Sequence, residues 1–151
     1  MISLDNIYLN IEANNYNDVL TFIADTLYEK GYVKETYKEA LLKREENFAT
    51  GLPTEPIGIA IPHSDPEHVN KPCIIIVQLK NTVKFREMGN HSNTIDAKYA
   101  FGLVFDNGEK QMPLLSSLIG MAQEEETMIS LSKAETKEQI LNIVKQYIPV
   151  D

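Results

Sequence analysis

A single cysteine, no long apolar run and a shortage of basic residues set the first limits on this 151-residue chain. The lone thiol, Cys73, excludes an internal disulfide, and its place at the head of the apolar run Cys73 to Val77 predicts a small buried hydrophobe. No stretch reaches the ~18 consecutive apolar residues of a membrane helix, and Asp5 and Asn6 interrupt the start where a signal peptide would be apolar. The expected compartment is the cytoplasm. Lys and Arg number 14 against 22 Asp and Glu, and the net charge of -8 opposes nonspecific binding to nucleic-acid backbones.

Catalytic signatures are equally scarce. There is no G-x-x-x-x-G-K-[ST] or G-x-G-x-x-G, so no nucleotide site is indicated, and no G-x-S-x-G elbow. Asp65 lies too near His63 in sequence to be assumed the orienting acid of a Ser-His-Asp hydrolase. The three histidines, His63, His68 and His91, match no established metal spacing. His63, Asp65 and His68 are the one set near enough in sequence to be weighed as ligands. His91, among Gly89, Asn90, Ser92 and Asn93, reads most simply as a loop residue. The sequence calls for no cofactor and no metal.

What is present is a layered pattern. Tyr16, Val19, Leu20, Ile23 and Leu27 share one helical face between Asn14 and Lys30, and Gly31 supplies a stop. A second helix is predicted from near Lys34, with Tyr37, Leu41 and Phe48 on its stripe and Arg44 beside it. Ala49 to Pro56, with one glycine and two prolines, predicts an irregular connector. Ile57, Ile59 and Ile61 then alternate with Gly58 and Ala60, a strand with one bulky and one small face. Cys73 to Leu79 and Tyr99 to Phe105 read as further strands, the first buried on both faces, with a short edge strand at Val83 to Phe85. Beyond the turn at Asn107 and Gly108, a helix opened by Pro113 carries Leu114, Leu115, Leu118, Ile119 and Ala122. Another is predicted from Glu124 to Ser132, and a last one where Thr136 and Gln139 form a capping box ahead of Ile140, Val144 and Tyr147. The expected fold is a single α/β domain over residues 1–151, a mixed sheet flanked by helices.

His63 ends the Ile57–Pro62 strand, and two readings stand side by side: a surface histidine, or a reactive group at a crevice. Arg44 is likewise either part of a solvated helix face or an anion ligand. Phosphoryl transfer through histidine needs a neutral ring nitrogen as nucleophile, with a cation and hydroxyl or backbone donors around the phosphoryl oxygens. Arg44, Thr50, His63 and Ser64 supply those types.

Arg44-Glu45, then Ala49-Thr50-Gly51-Leu52, then Ile57-Gly58-Ile59-Ala60-Ile61-Pro62-His63 resembles the signature of the fructose/mannitol-type EIIA components of the bacterial phosphoenolpyruvate:sugar phosphotransferase system (PTS). Gly51 to Pro56 and Ser64 to Val69 are more similar to its galactitol-specific branch. The resemblance covers nearly the whole chain. It implies a cytoplasmic phosphocarrier whose His63 takes a phosphoryl group from phospho-HPr at Nε2 and passes it to a cysteine of an EIIB component, with the membrane component EIIC acting only indirectly. Arg44 would stabilise the phosphoryl group, with Thr50 and Ser64 as further donors. Where the mannitol branch has a second active-site histidine, this chain has Gln111, which donates through its amide but carries no charge. His68 and His91 are the other candidates for that place. A regulatory protein whose partner contacts change with His63 phosphorylation is the alternative of the binding class.

Overall fold

The computed structural model describes residues 1–150. Among the described residues five strands and five α-helices form a mixed α/β single domain: β1 (Ile7–Ile11), α1 (Tyr16–Glu29), α2 (Tyr37–Asn47), β2 (Gly51–Leu52), β3 (Gly58–Ala60), β4 (Cys73–Glu87), β5 (Asn90–Val104), α3 (Gly108–Ala122), α4 (Glu125–Lys133) and α5 (Lys137–Val144). None of these helices is long and apolar enough to cross a membrane.

The apolar run at Cys73 explains the layering. Alternate side chains of β4 point to opposite faces, so Ile75 and Val77 enter one core with Leu20, Ile23 and Leu27 of α1 and with Leu41 of α2. Ile74 and Ile76 enter a second core with Leu118 of α3, Leu131 of α4 and Val144 of α5. Each such side chain, fully buried, contributes about 1.5–3 kcal/mol. The sheet therefore has helices on both faces, and Cys73 is buried as expected.

Helix ends follow their local chemistry. The Asn15 side chain accepts from Asp18 N at 2.9 Å to open α1, and Gly31 follows its C-terminus at φ +81°. Thr136 and Gln139 form the expected capping box of α5. α3, by contrast, starts earlier than predicted. Asn107 caps it by accepting from Glu109 N at 2.8 Å, which leaves Pro113 inside the helix rather than at its opening.

Strand boundaries depart further from expectation. Val83 to Phe85 is not an edge strand but belongs to the distal half of β4, which runs fifteen residues and pairs antiparallel with β5 in both halves. An irregularity between Gln78 and Val83 divides this hairpin into an inner and a distal half. β1, a strand missing from the expected elements although Ile7, Leu9 and Ile11 alternate in the sequence, adds in parallel to β4, with Asn10 in the left-handed region interrupting its alternation. The connector Ala49–Pro56 is not wholly irregular, since Gly51 and Leu52 form β2.

These short strands place the site. β2 pairs antiparallel with β3, β3 parallel with β5, and β2 parallel with the end of β4 through Gly51 and Glu87. With the β4–β5 pairing the circuit closes, so the distal hairpin curls back over β2. Met88 N donates to Gly51 O at 2.8 Å, fastening the hairpin tip beside the end of α2.

Candidate active site

β3 ends at Ala60, yet the next residues stay on the sheet. Ile61 N donates to Thr50 O at 3.2 Å and Leu103 N to Pro62 O at 3.1 Å, so His63 is set against Leu103 of β5. Pro62 brings no N–H that would need a partner here. His63 is only 7% exposed, and its Nδ1 lies 2.9 Å from the carbonyl oxygen of Ile61. A carbonyl only accepts, so Nδ1 carries the proton and Nε2 keeps the lone pair. Burial holds the imidazole below its ordinary pKa of 6.5, and the Arg44 cation acts in the same direction. The Ile61 carbonyl and the Asp65 carboxylate pull the other way without prevailing.

Arg44 reaches the same place from the last turn of α2. Its guanidinium carbon sits 4.5 Å from the ring centroid of Phe48, and its Nη1 lies 3.9 Å from Asp65 Oδ1. Its Nε–H is buried with no hydrogen-bond partner. A buried donor left unmade costs about 1–3 kcal/mol. Phe48, predicted on the buried stripe of α2, is 61% exposed and serves as the platform for Arg44.

The stripe position belongs instead to Glu45, buried with Tyr37 and Leu41. Its Oε2 accepts from Thr50 N at 2.8 Å and its Oε1 from Thr50 Oγ1 at 2.7 Å. Burial pushes the Glu45 carboxyl above its usual range, opposed by both Thr50 donors and by Arg44. Thr50 thus gives its hydroxyl proton to Glu45, not to the cleft. Its effect on His63 runs through its carbonyl, which holds Ile61.

A cleft of about 400 Å³ gathers Arg44, Phe48, Thr50, His63, the hairpin tip from Glu87 to His91, and Leu115 of α3. Ser64 is buried beside His63 but does not line it, and neither does Gln111, one turn before Leu115 on α3. His68 is turned elsewhere, its Nδ1 2.8 Å from Thr36 Oγ1 and its Nε2 3.6 Å from Glu67. His91 is not a plain loop residue: it is the second residue of β5 and lines the cleft, with its Nε2 2.6 Å from Arg86 Nη1. Among the described residues no group of three or more His, Cys, Asp or Glu comes together to hold a metal ion.

Fold and site define an α/β domain built around a buried histidine of one tautomer, with a cation beside it at the mouth of a cleft. The chain belongs to the EIIA 2 family of the phosphoenolpyruvate-dependent sugar phosphotransferase system, whose model matches residues 1–147. It is 32% identical to the galactitol-specific EIIA component of the PTS of Escherichia coli K12 over 85% of this chain and 87% of that one. It is 30% identical to the mannitol-specific phosphotransferase enzyme IIA component of Bacillus subtilis over 97% of both. The same fold occurs in the E. coli complex of enzyme IIA(Mtl) with phosphorylated enzyme IIB(Mtl), at a TM-score of 0.78 and 23% identity over 97% of this chain and 98% of that one. EIIA components of this system are phosphotransferase components that transfer phosphoryl groups.

Proposed function

We propose that this chain is a cytoplasmic phosphocarrier for uptake of galactitol or a related sugar, with His63 as its phosphorylated residue. The bond from His63 Nε2 to phosphorus forms as the bond to the phosphohistidine of HPr breaks. It breaks in turn as a cysteine thiolate of an EIIB component attacks, and EIIC enters only after that. Arg44 takes the phosphoryl oxygens, Nε–H included, and so gives that buried donor its partner. In-line transfer between two protein side chains needs positioning and charge stabilisation and no cofactor.

One observation carries the reading. The 2.9 Å contact from His63 Nδ1 to the Ile61 carbonyl leaves Nε2 as the lone-pair nitrogen of a neutral ring lining the cleft that holds Arg44. Similarity to the galactitol-specific EIIA component of E. coli supports the galactitol assignment, and the E. coli complex of enzyme IIA(Mtl) with phosphorylated enzyme IIB(Mtl) supports the EIIB partner. The test is incubation with phospho-HPr followed by mass spectrometry, then addition of candidate EIIB. An acid-labile phosphate on His63 that EIIB removes is expected. Undiminished labelling of His63→Ala would overturn the proposal. The sugar is assigned by which one, added with EIIB and EIIC, discharges phospho-His63.

A further inference from the structure

The curled hairpin brings a second imidazole to the cleft. Building on the phosphocarrier reading, we propose that His91 is a further phosphoryl-contacting residue, donating from Nδ1–H to an oxygen of the group carried by His63. Arg86 is the positioning residue that fixes its tautomer.

His91 lines the same cleft as His63 and Arg44, and its place there is built in. The Met88–Gly51 hydrogen bond and the Gly51–Glu87 pairing hold the tip on β2, and Gly89 turns the chain at φ +79°. Arg86 Nη1 lies 2.6 Å from His91 Nε2. A guanidinium only donates, so Nε2 is the acceptor and the ring proton resides on Nδ1. His91 therefore offers a donor at the nitrogen that Arg86 does not occupy.

Charge balance gives that donor a use. Arg44 already faces Asp65 at 3.9 Å, and Glu87, whose carboxylate accepts from Asn93 Nδ2 at 2.7 Å, also lines the cleft. A phosphoryl group brings about -1.5 to -2 charges. Arg44 alone, partly offset by two carboxylates, leaves that charge undercompensated. The Arg86 cation, relayed through a polarised imidazole, adds the missing positive potential. His91 stays a hydrogen-bond donor throughout. No proton leaves it, and the bonds that break and form are those at phosphorus alone.

The test compares the full-length wild type with His91→Leu, His91→Gln and Arg86→Gln in transfer from phospho-HPr. Both residues are exposed, so the three variants are expected to melt with the wild type. His91→Leu should slow transfer about tenfold, the worth of one charge-assisted hydrogen bond at a partly solvated site, with KM for phospho-HPr unchanged. His91→Gln, whose amide can donate, should recover most of that rate. Arg86→Gln should fall between, and ¹⁵N spectra of its imidazoles should show His91 turning from one tautomer into a mixture. A wild type phosphorylated on His63 alongside an equally fast His91→Leu would overturn the assignment alone. So would a loss confined to KM, which would mark His91 as a docking contact for HPr. A wild type that takes no phosphate on His63 would overturn the phosphocarrier reading as well.

Discussion

His63 Nδ1 lies 2.9 Å from the carbonyl oxygen of Ile61, two residues earlier in the chain, and this contact decides which ring nitrogen is free. The phosphorylated protein should therefore carry its phosphorus on Nε2. Nitrogen–phosphorus coupling in ¹⁵N-histidine-labelled protein distinguishes the two isomers. An Nδ1 adduct would require this hydrogen bond to break.

The same histidine makes stability depend on pH in a stated direction. Burial depresses its pKa in the folded chain below the unfolded value of 6.5. Above 6.5 both states hold the ring neutral. As pH falls beneath it the unfolded chain gains a proton that folded His63 resists, so the unfolding free energy should drop. Denaturant melts of wild type and His63→Gln between pH 7.5 and pH 5.5, an interval of roughly one unit either side of the ordinary histidine pKa, should show a slope that is shallower in the variant. Acceptance of phosphate should likewise fall off at a lower pH than an ordinary histidine would set, because burial favours the neutral ring.

Arg44 should not tolerate lysine. The guanidinium lies 4.5 Å from the Phe48 ring centroid and holds a buried, unpartnered Nε–H. An ammonium keeps the charge but loses the planar stack and that donor. Arg44→Lys and Arg44→Ala should each slow phosphorylation of His63 by about 100-fold, the typical cost of removing one preorganised donor. Rapid-quench assays with phospho-HPr measure it. A lysine variant at the wild-type rate would reduce Arg44 to a generic positive charge.

His63 and Arg44 were legible in the sequence because local pattern places both: an alternating strand ended by proline, and a helical stripe with a cation at its edge. The two cores were equally legible, since Cys73 to Val77 is apolar without a break. The hairpin tip was not. Its approach to the cleft depends on the irregularity between Gln78 and Val83 and on a pairing between Gly51 and Glu87, both set by tertiary geometry. Lys80-Asn81-Thr82 breaks the apolar pattern and makes Val83 to Phe85 look like a separate strand. Glu45 could have been found: it follows Tyr37 and Leu41 at intervals of four, and a carboxylate on a buried stripe demands a partner close by. Gln111 was placed by resemblance alone, and α3, which begins at Gly108, sets it one turn before the cleft-lining Leu115.

Glu45 should matter through Thr50. Its two oxygens accept the amide and hydroxyl of Thr50, and the carbonyl of Thr50 holds Ile61, whose own carbonyl orients His63. Glu45→Ala strands two buried donors and should cost about 2–4 kcal/mol, at about 1–2 for each. Glu45→Gln keeps one acceptor for Thr50 N and turns an amide donor toward Thr50 Oγ1, which accepts after its hydroxyl rotates. That variant should retain most of the stability and most of the phosphorylation rate. Chemical denaturation read beside single-turnover transfer separates the two, and equal losses in both variants would mean that the charge of Glu45, not its hydrogen bonds, is what the site uses.

Gly51 provides a geometric check on the curled hairpin. A Cβ at this position would lie 2.6 Å from Arg86 O and 2.7 Å from Ile95 Cγ1. The first of these is backbone, so no rotamer change relieves it. Gly51→Ala must push the distal hairpin away from β2, at about 1–3 kcal/mol for the overpacking. The Met88–Gly51 hydrogen bond lengthens with that movement, and the tip from Glu87 to His91 leaves the cleft while His63 keeps its contact to Ile61. Amide hydrogen exchange should accelerate at Met88 before it does in the inner half of β4. Transfer in Gly51→Ala should fall by about as much as in His91→Leu, roughly tenfold. Protection at Met88 unchanged from wild type would show that the hairpin is not held by this approach.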